Sequence, residues 1–132
     1  MIDHLPKHLD YVCLQKDVTD VDRVILSHAN IVFFDQDIVD FGDTAALCGL
    51  MDLVISIDTS AAHLAGAMGK LTWALLPHLP DWRWLLDRSD SPWYPSMRLY
   101  RQEEMGAWEP VLQRVAQDLT QVLRSNSDTL LA

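Results

Sequence analysis

Asp52-Leu53-Val54-Ile55-Ser56-Ile57-Asp58-Thr59-Ser60-Ala61-Ala62-His63-Leu64-Ala65-Gly66-Ala67-Met68-Gly69-Lys70 is the stretch on which the fold turns. Leu53 to Ile57 carries the strongest strand signal in the chain, a nearly continuous apolar run of the kind found in strands covered on both faces. Asp58, Thr59 and Ser60 break the run, and Ala61 to Met68 continues as a helix of small residues stopped by Gly69. A strand that turns directly into a helix is the unit of a parallel α/β sheet.

Towards the N-terminus, Tyr11 to Leu14 and Ile31 to Phe34 are short β-prone runs. Between them Val18, Val21, Val24 and Ile25 recur at helical spacing, with Asp17 or Thr19 available to cap the start. Thr44 to Leu50, opening near Asp43, reads as a short Ala/Leu-rich helix. Towards the C-terminus, Leu71 to Leu76 is a strand closed by Pro77, and Met97 to Tyr100 is another. In the last helix Val111, Leu112, Val115, Leu119, Val122 and Leu123 form one apolar stripe, with Pro110 in its first turn. The irregular stretch His78 to Ser96 holds three of the five tryptophans and several prolines, and reads as an ordered loop because indoles this dense would not stay solvated.

The expected architecture is one α/β domain over residues 1–124, Rossmann-like and three-layered, with a parallel sheet of about five strands and a tail over 125–132. In such sheets ligands bind at the carboxyl ends of the strands. The loops after Leu14, Ile57 and Leu76 are therefore where a site is expected.

A chain of 132 residues, 49% hydrophobic and 22% charged, suits one globular core. Its net charge of -9, with only ten Lys and Arg, argues against a nucleic-acid partner, which needs a clustered basic surface. A nucleotide can still be held where backbone N–H groups and one or two cations converge. Cys13 and Cys48 lack CxxC spacing and read as reduced, buried thiols, which fits a cytoplasmic protein. No segment has the roughly 18 apolar residues of a membrane span, and no signal peptide is evident.

The Asp58-Thr59-Ser60 turn and His63 put a carboxylate, hydroxyls and an imidazole at a strand-to-helix junction. A diphosphate could be held there by Thr59, Ser60 and the unpaired first-turn amides, with His63 one turn along the same face. The plainer reading is that Asp58 or Thr59 caps the helix and His63 is a satisfied, half-buried histidine. The small residues of the helix tip the balance slightly, because they bring its N-terminus close to the strand ends. His4 and His8 stand four apart, yet without a third ligand no metal site is expected there. Gly66 to Thr72 has a P-loop look, but Leu64 replaces its first glycine and Leu71 its hydroxyl residue. Trp82 and Trp84 are weak candidates for stacking on a base or sugar; anchoring of their own loop is the commoner role.

The Asp58-Thr59-Ser60-Ala61-Ala62-His63 line, with the Ala/Gly-rich helix and Gly69-Lys70, resembles the donor-binding signature of glycosyltransferases related to the lipopolysaccharide heptosyltransferases, in the branch found behind tetratricopeptide repeats. The similarity also takes in Tyr11 to Lys16, Asp40 to Leu47 and Pro80 to Leu99. The resemblance implies the C-terminal half of a GT-B fold that binds a nucleotide-diphosphate sugar and needs neither metal nor cofactor. It implies that Lys16 and Gln15 neutralise the diphosphate, that Thr59, Ser60 and His63 bind phosphate, and that Asp58 hydrogen-bonds the sugar. An ordinary exposed strand-end lysine is the plain alternative for Lys16. It further implies an N-terminal acceptor domain, or repeat segment, with no counterpart before Met1, so that catalysis by this chain alone is not expected and no catalytic residue can be named. The alternatives are a non-catalytic interaction module and half of a sugar-nucleotide epimerase or hydrolase. A homodimer is expected to cover apolar surface.

Overall fold

Thr72-Trp73-Ala74-Leu75-Leu76 is buried at every position and forms β4, the middle strand of a three-stranded sheet. A strand's side chains alternate between faces, so burial at every position requires cover on both. The computed structural model, which describes residues 2–130 with the side chains of 123–130 excepted, supplies that cover. On one face Trp73 and Leu75 pack with Tyr100 against Val111, Val115 and Leu119 of the long helix α4, Trp108–Leu130. On the other, Ala74 and Leu76 pack with Met97 and Leu99 against Ala62 of α3, Ser60–Ala67, and against Trp84. Strands β3 (Val54–Ile57) and β5 (Met97–Arg101) flank β4, all parallel, so this half of the chain is a helix-sheet-helix sandwich.

The other two strands, β1 (Val12–Cys13) and β2 (Val32–Phe33), pair in parallel only with each other. The expected single sheet of about five strands is thus present as two sheets, of two and three strands. Its physical reason is the brevity of β1, whose ladder is confined to Val12 and Cys13. Leu14 has left it and packs its side chain against Cys48, Val54 and Ala65. The connection from this segment to β3 is thus the side chain of Leu14 on Val54, with no ladder between the strands.

Two further helices complete the α/β order: α1, Asp20–His28, and α2, Phe41–Leu50. Thr19 caps α1 through a reciprocal box with Asp22, and Asp40 caps α2 through the same device with Asp43. The face read as inward on α1 is corrected. Val18 is buried, but Val21, Val24 and Ile25 are exposed and Leu26 is the helix's buried residue. The covered side runs through Asp22, Arg23, Leu26 and Ala29, because Asp22 is held by the cap and Arg23 by an ion pair with Asp35.

The tryptophan expectation is corrected in part. Trp84 is fully buried, whereas Trp82 and Trp93 are 72% and 56% exposed. Trp93 is tied down through its Nε1, which donates to the Arg83 carbonyl at 2.7 Å, and Trp82 lies under the Arg83 guanidinium. Both cysteines are free; Cys48 is buried, Cys13 only partly so, and burial pushes the Cys48 thiol up from its ordinary value. In α4 the backbone is helical through Leu130, including 125–130 of the segment read as a tail, while 131 and 132 and the Leu123 side chain lie outside the described residues. Among the described residues no helix is long and apolar enough to cross a membrane.

Candidate functional site

Two sets of polar side chains stand at strand carboxyl ends. The first follows β3. Thr59 occupies the N-cap of α3 in extended backbone, yet its side chain accepts nothing from the helix. Its Oγ1 lies 3.0 Å from Ser56 Oγ, in a pair in which either hydroxyl can donate, and Ser56 Oγ also reaches the Ile57 carbonyl at 2.9 Å. The first intrahelical bond runs from His63 N to the Thr59 carbonyl at 3.3 Å, which leaves the amides of Ser60, Ala61 and Ala62 without intrahelical partners. Capping by Asp58 or Thr59, the plainer reading of this turn, is not made. α1 and α2 close their boxes; α3 does not.

Asp58 instead faces His63, with Oδ1 3.4 Å from Nε2. The other ring nitrogen, Nδ1, meets the Tyr94 hydroxyl at 3.1 Å. Trp84 stacks on the imidazole with centroids 5.1 Å apart and planes 23° from parallel. Trp84 therefore lies under His63, while its own indole N–H finds no hydrogen-bond partner among the described residues. The close approach of Tyr94 depends on Gly66: a Cβ there would stand 2.7 Å from Tyr94 Cγ and 2.8 Å from Met97 Cε. Buried Ala62 and Ala65 seat the helix against the sheet, as their size predicts.

The second set follows β1 and β2. Lys16, Asp17, Val18, Thr19, Arg23 and Asp35 line a solvent-open cleft of about 340 Å³. Arg23 makes two hydrogen bonds to the largely buried Asp35 carboxylate and lies over the Phe33 ring. Lys16 donates through Nζ to the Val39 carbonyl at 2.7 Å, and Gln15 donates to the Asp17 carbonyl at 2.9 Å. Next to Lys16, Asp43 accepts from the amides of Val39 and Asp40 at 2.9 and 3.2 Å. Those two amides, Val39 first, hold its carboxyl below the ordinary carboxylate range, and the Lys16 charge adds to them.

Asp58, Thr59, Ser60 and His63 are thus brought together at one turn, and Gln15 and Lys16 stand at the other set. Among the described residues no hydrogen bond or ion pair joins the two groups. Tyr94, Arg23 and Asp35 are the site residues that sequence reasoning missed. Asp35 carries a usable signal, an acid ending the apolar run of β2; Tyr94, inside a proline-rich loop, carries none. His4 pairs with Glu109 at 3.2 Å, away from both sets.

The fold and the site define a small Rossmann-like α/β domain with open polar groups at the carboxyl ends of parallel strands. No family model matches the chain, and no solved structure matches it. Over 77 residues it is 42% identical to Protein FlbA of Caulobacter vibrioides, a stretch that makes up 58% of this chain and 13% of FlbA. The chain accordingly spans only a small fraction of that relative's length.

Proposed function

We propose that this chain is the nucleotide-sugar-binding half of a glycosyltransferase, with the donor's diphosphate seated on the open first turn of α3. The observation that carries the reading is the uncapped N-terminus of α3, set among hydroxyl and carboxylate side chains, when α1 and α2 are capped in full. Free amides at a helix start favour an anion by geometry and by the helix dipole together. Thr59 and Ser60 then turn their hydroxyls to phosphate oxygens, and Asp58 takes a sugar hydroxyl. Lys16 is exposed, so its contact with the Val39 carbonyl exchanges readily for a phosphate oxygen. The open cleft beside it, with the exposed Asp17, suits the hydroxyl-rich ribose.

Breaking the bond between sugar and phosphate leaves charge on the departing diphosphate, and a lysine with a helix N-terminus stabilises it without a metal. The acceptor hydroxyl needs a base within about 3 Å, and we assign that role to a companion domain, in a cytoplasmic protein that pairs as a homodimer. Calorimetric titration with UDP-, GDP- and ADP-sugars tests the reading. Saturable binding of one of them, weakened at least tenfold by Asp58→Ala or Lys16→Ala, is expected. No heat at millimolar ligand overturns it.

A second reading, a protein-interaction module, is favoured by the exposed Leu79, Trp82, Leu86 and Trp93 of the loop after β4. It predicts nucleotide affinity indifferent to both substitutions.

A further inference from the structure

His63 is the hub of the β3–α3 turn, and its two nitrogens meet groups of different kinds. The Asp58 carboxylate can only accept, so a neutral ring facing it at 3.4 Å carries its hydrogen on Nε2. Nδ1 is then a bare acceptor, and the Tyr94 hydroxyl at 3.1 Å is the donor to it. Trp84 beneath the ring and the missing side chain at Gly66 keep Tyr94 and His63 in this arrangement. Asp58, from the turn, and Tyr94, from the loop, are the titratable groups that face the ring; Trp84 presents none.

We propose that Tyr94 is a positioning residue for the anion site: by donating to Nδ1 it fixes His63 as the Nε2–H tautomer and keeps that hydrogen on the Asp58 side of the ring, at the turn that opens α3. This rests on the reading of the turn as a diphosphate site. An entering phosphate oxygen shares the Nε2 hydrogen with Asp58, so a carboxylate close to the anion is partly shielded by the imidazole between them. The loop after β4 thereby becomes part of the site through His63, although Tyr94 itself does not touch the anion.

Two measurements on the full chain test the proposal. Nitrogen resonances of the imidazoles, in protein without ligand, report which ring nitrogen of His63 carries hydrogen. Nε2–H with a hydrogen-bonded Nδ1 is expected, and Tyr94→Phe should move Nδ1 towards a free imine nitrogen. A proton on Nδ1, or a resonance indifferent to Tyr94→Phe, overturns the proposal. In the second, pyrophosphate is titrated into wild type and Tyr94→Phe in neutral solution and in acid. Binding should weaken about three- to tenfold at neutral pH, the range of one lost hydrogen bond. The two proteins should converge in acid, where both ring nitrogens carry hydrogen and no tautomer needs selecting. In a His63→Gln background, whose amide donor ignores Tyr94, the second substitution should change nothing. Equal weakening by Tyr94→Phe at both pH values and in both backgrounds shows a merely structural role and overturns the proposal. A wild type that ignores pyrophosphate overturns the diphosphate reading itself, while the nitrogen resonances still decide what Tyr94 does to His63.

Discussion

Gly66 lies inside a helix, where alanine is ordinarily the better residue by about 0.5–1 kcal/mol. At this position a Cβ would fall 2.7 Å from the Tyr94 ring, and the overpacking cost of about 1–3 kcal/mol exceeds the helical gain. Gly66→Ala should therefore lower stability by about 1 kcal/mol, read as a reduced urea midpoint with unchanged slope. A raised midpoint would mean that Tyr94 gives way. Asp43 shows the opposite kind of dependence, on pH. Its carboxyl is depressed in the folded protein by the Val39 and Asp40 amides, so its stabilising contribution is complete above the unfolded carboxylate range and is lost as pH falls through the folded value. The start of α2 should loosen in that acid window in wild type, and Asp43→Asn should remove the pH dependence; amide shifts of Phe41 to Thr44 follow it directly.

Among the elements, α1 separates what apolar spacing reveals from what it hides. A helix between β1 and β2 was readable, with its cap left between Asp17 and Thr19, but Val21, Val24 and Ile25 mimic an inward stripe while the covered side carries Asp22 and Arg23. Polar residues on the covered side escape any reading by hydrophobic periodicity, Asp22 because it serves the Thr19 cap of its own helix and Arg23 because its partner Asp35 lies beyond β2. Two substitutions check the corrected face. Leu26→Ala should cost about 2–4 kcal/mol, as for a buried leucine. Val24→Lys should stay within about 0.5 kcal/mol, as for an exposed site. Chemical denaturation distinguishes them, and a large loss on Val24→Lys would restore the original stripe. The site divides in the same way. Asp58, Thr59, Ser60 and His63 were legible because they are consecutive or one helical turn apart. Tyr94 reaches His63 across 31 positions of sequence and the uncapped state of Thr59 depends on Ser56, so neither follows from local chemistry.

At the scale of the whole molecule, the alternation of strands and helices was legible, whereas the division of the sheet and the helical course of 125–130 were not. Ladder length explains the divided sheet: β4 pairs over four residues with β3 and over five with β5, whereas β1 and β2 share two residue pairs. Hydrogen exchange should accordingly be slowest for Thr72 to Leu76 and Val111 to Leu119. Amides of Tyr11 to Leu14 and Ile31 to Phe34 should exchange at least about tenfold faster, through local opening. Equal protection of both regions would show that the two sheets open as one. The loop after β4 folds back over this core and lays Trp84 flat against His63. An excited indole in face contact with an imidazole loses its emission to that ring once the ring is cationic. Trp84 is therefore an optical gauge: its share of the emission of the five tryptophans, read as the difference between wild type and Trp84→Phe, reports the charge at the mouth of the site without any added label.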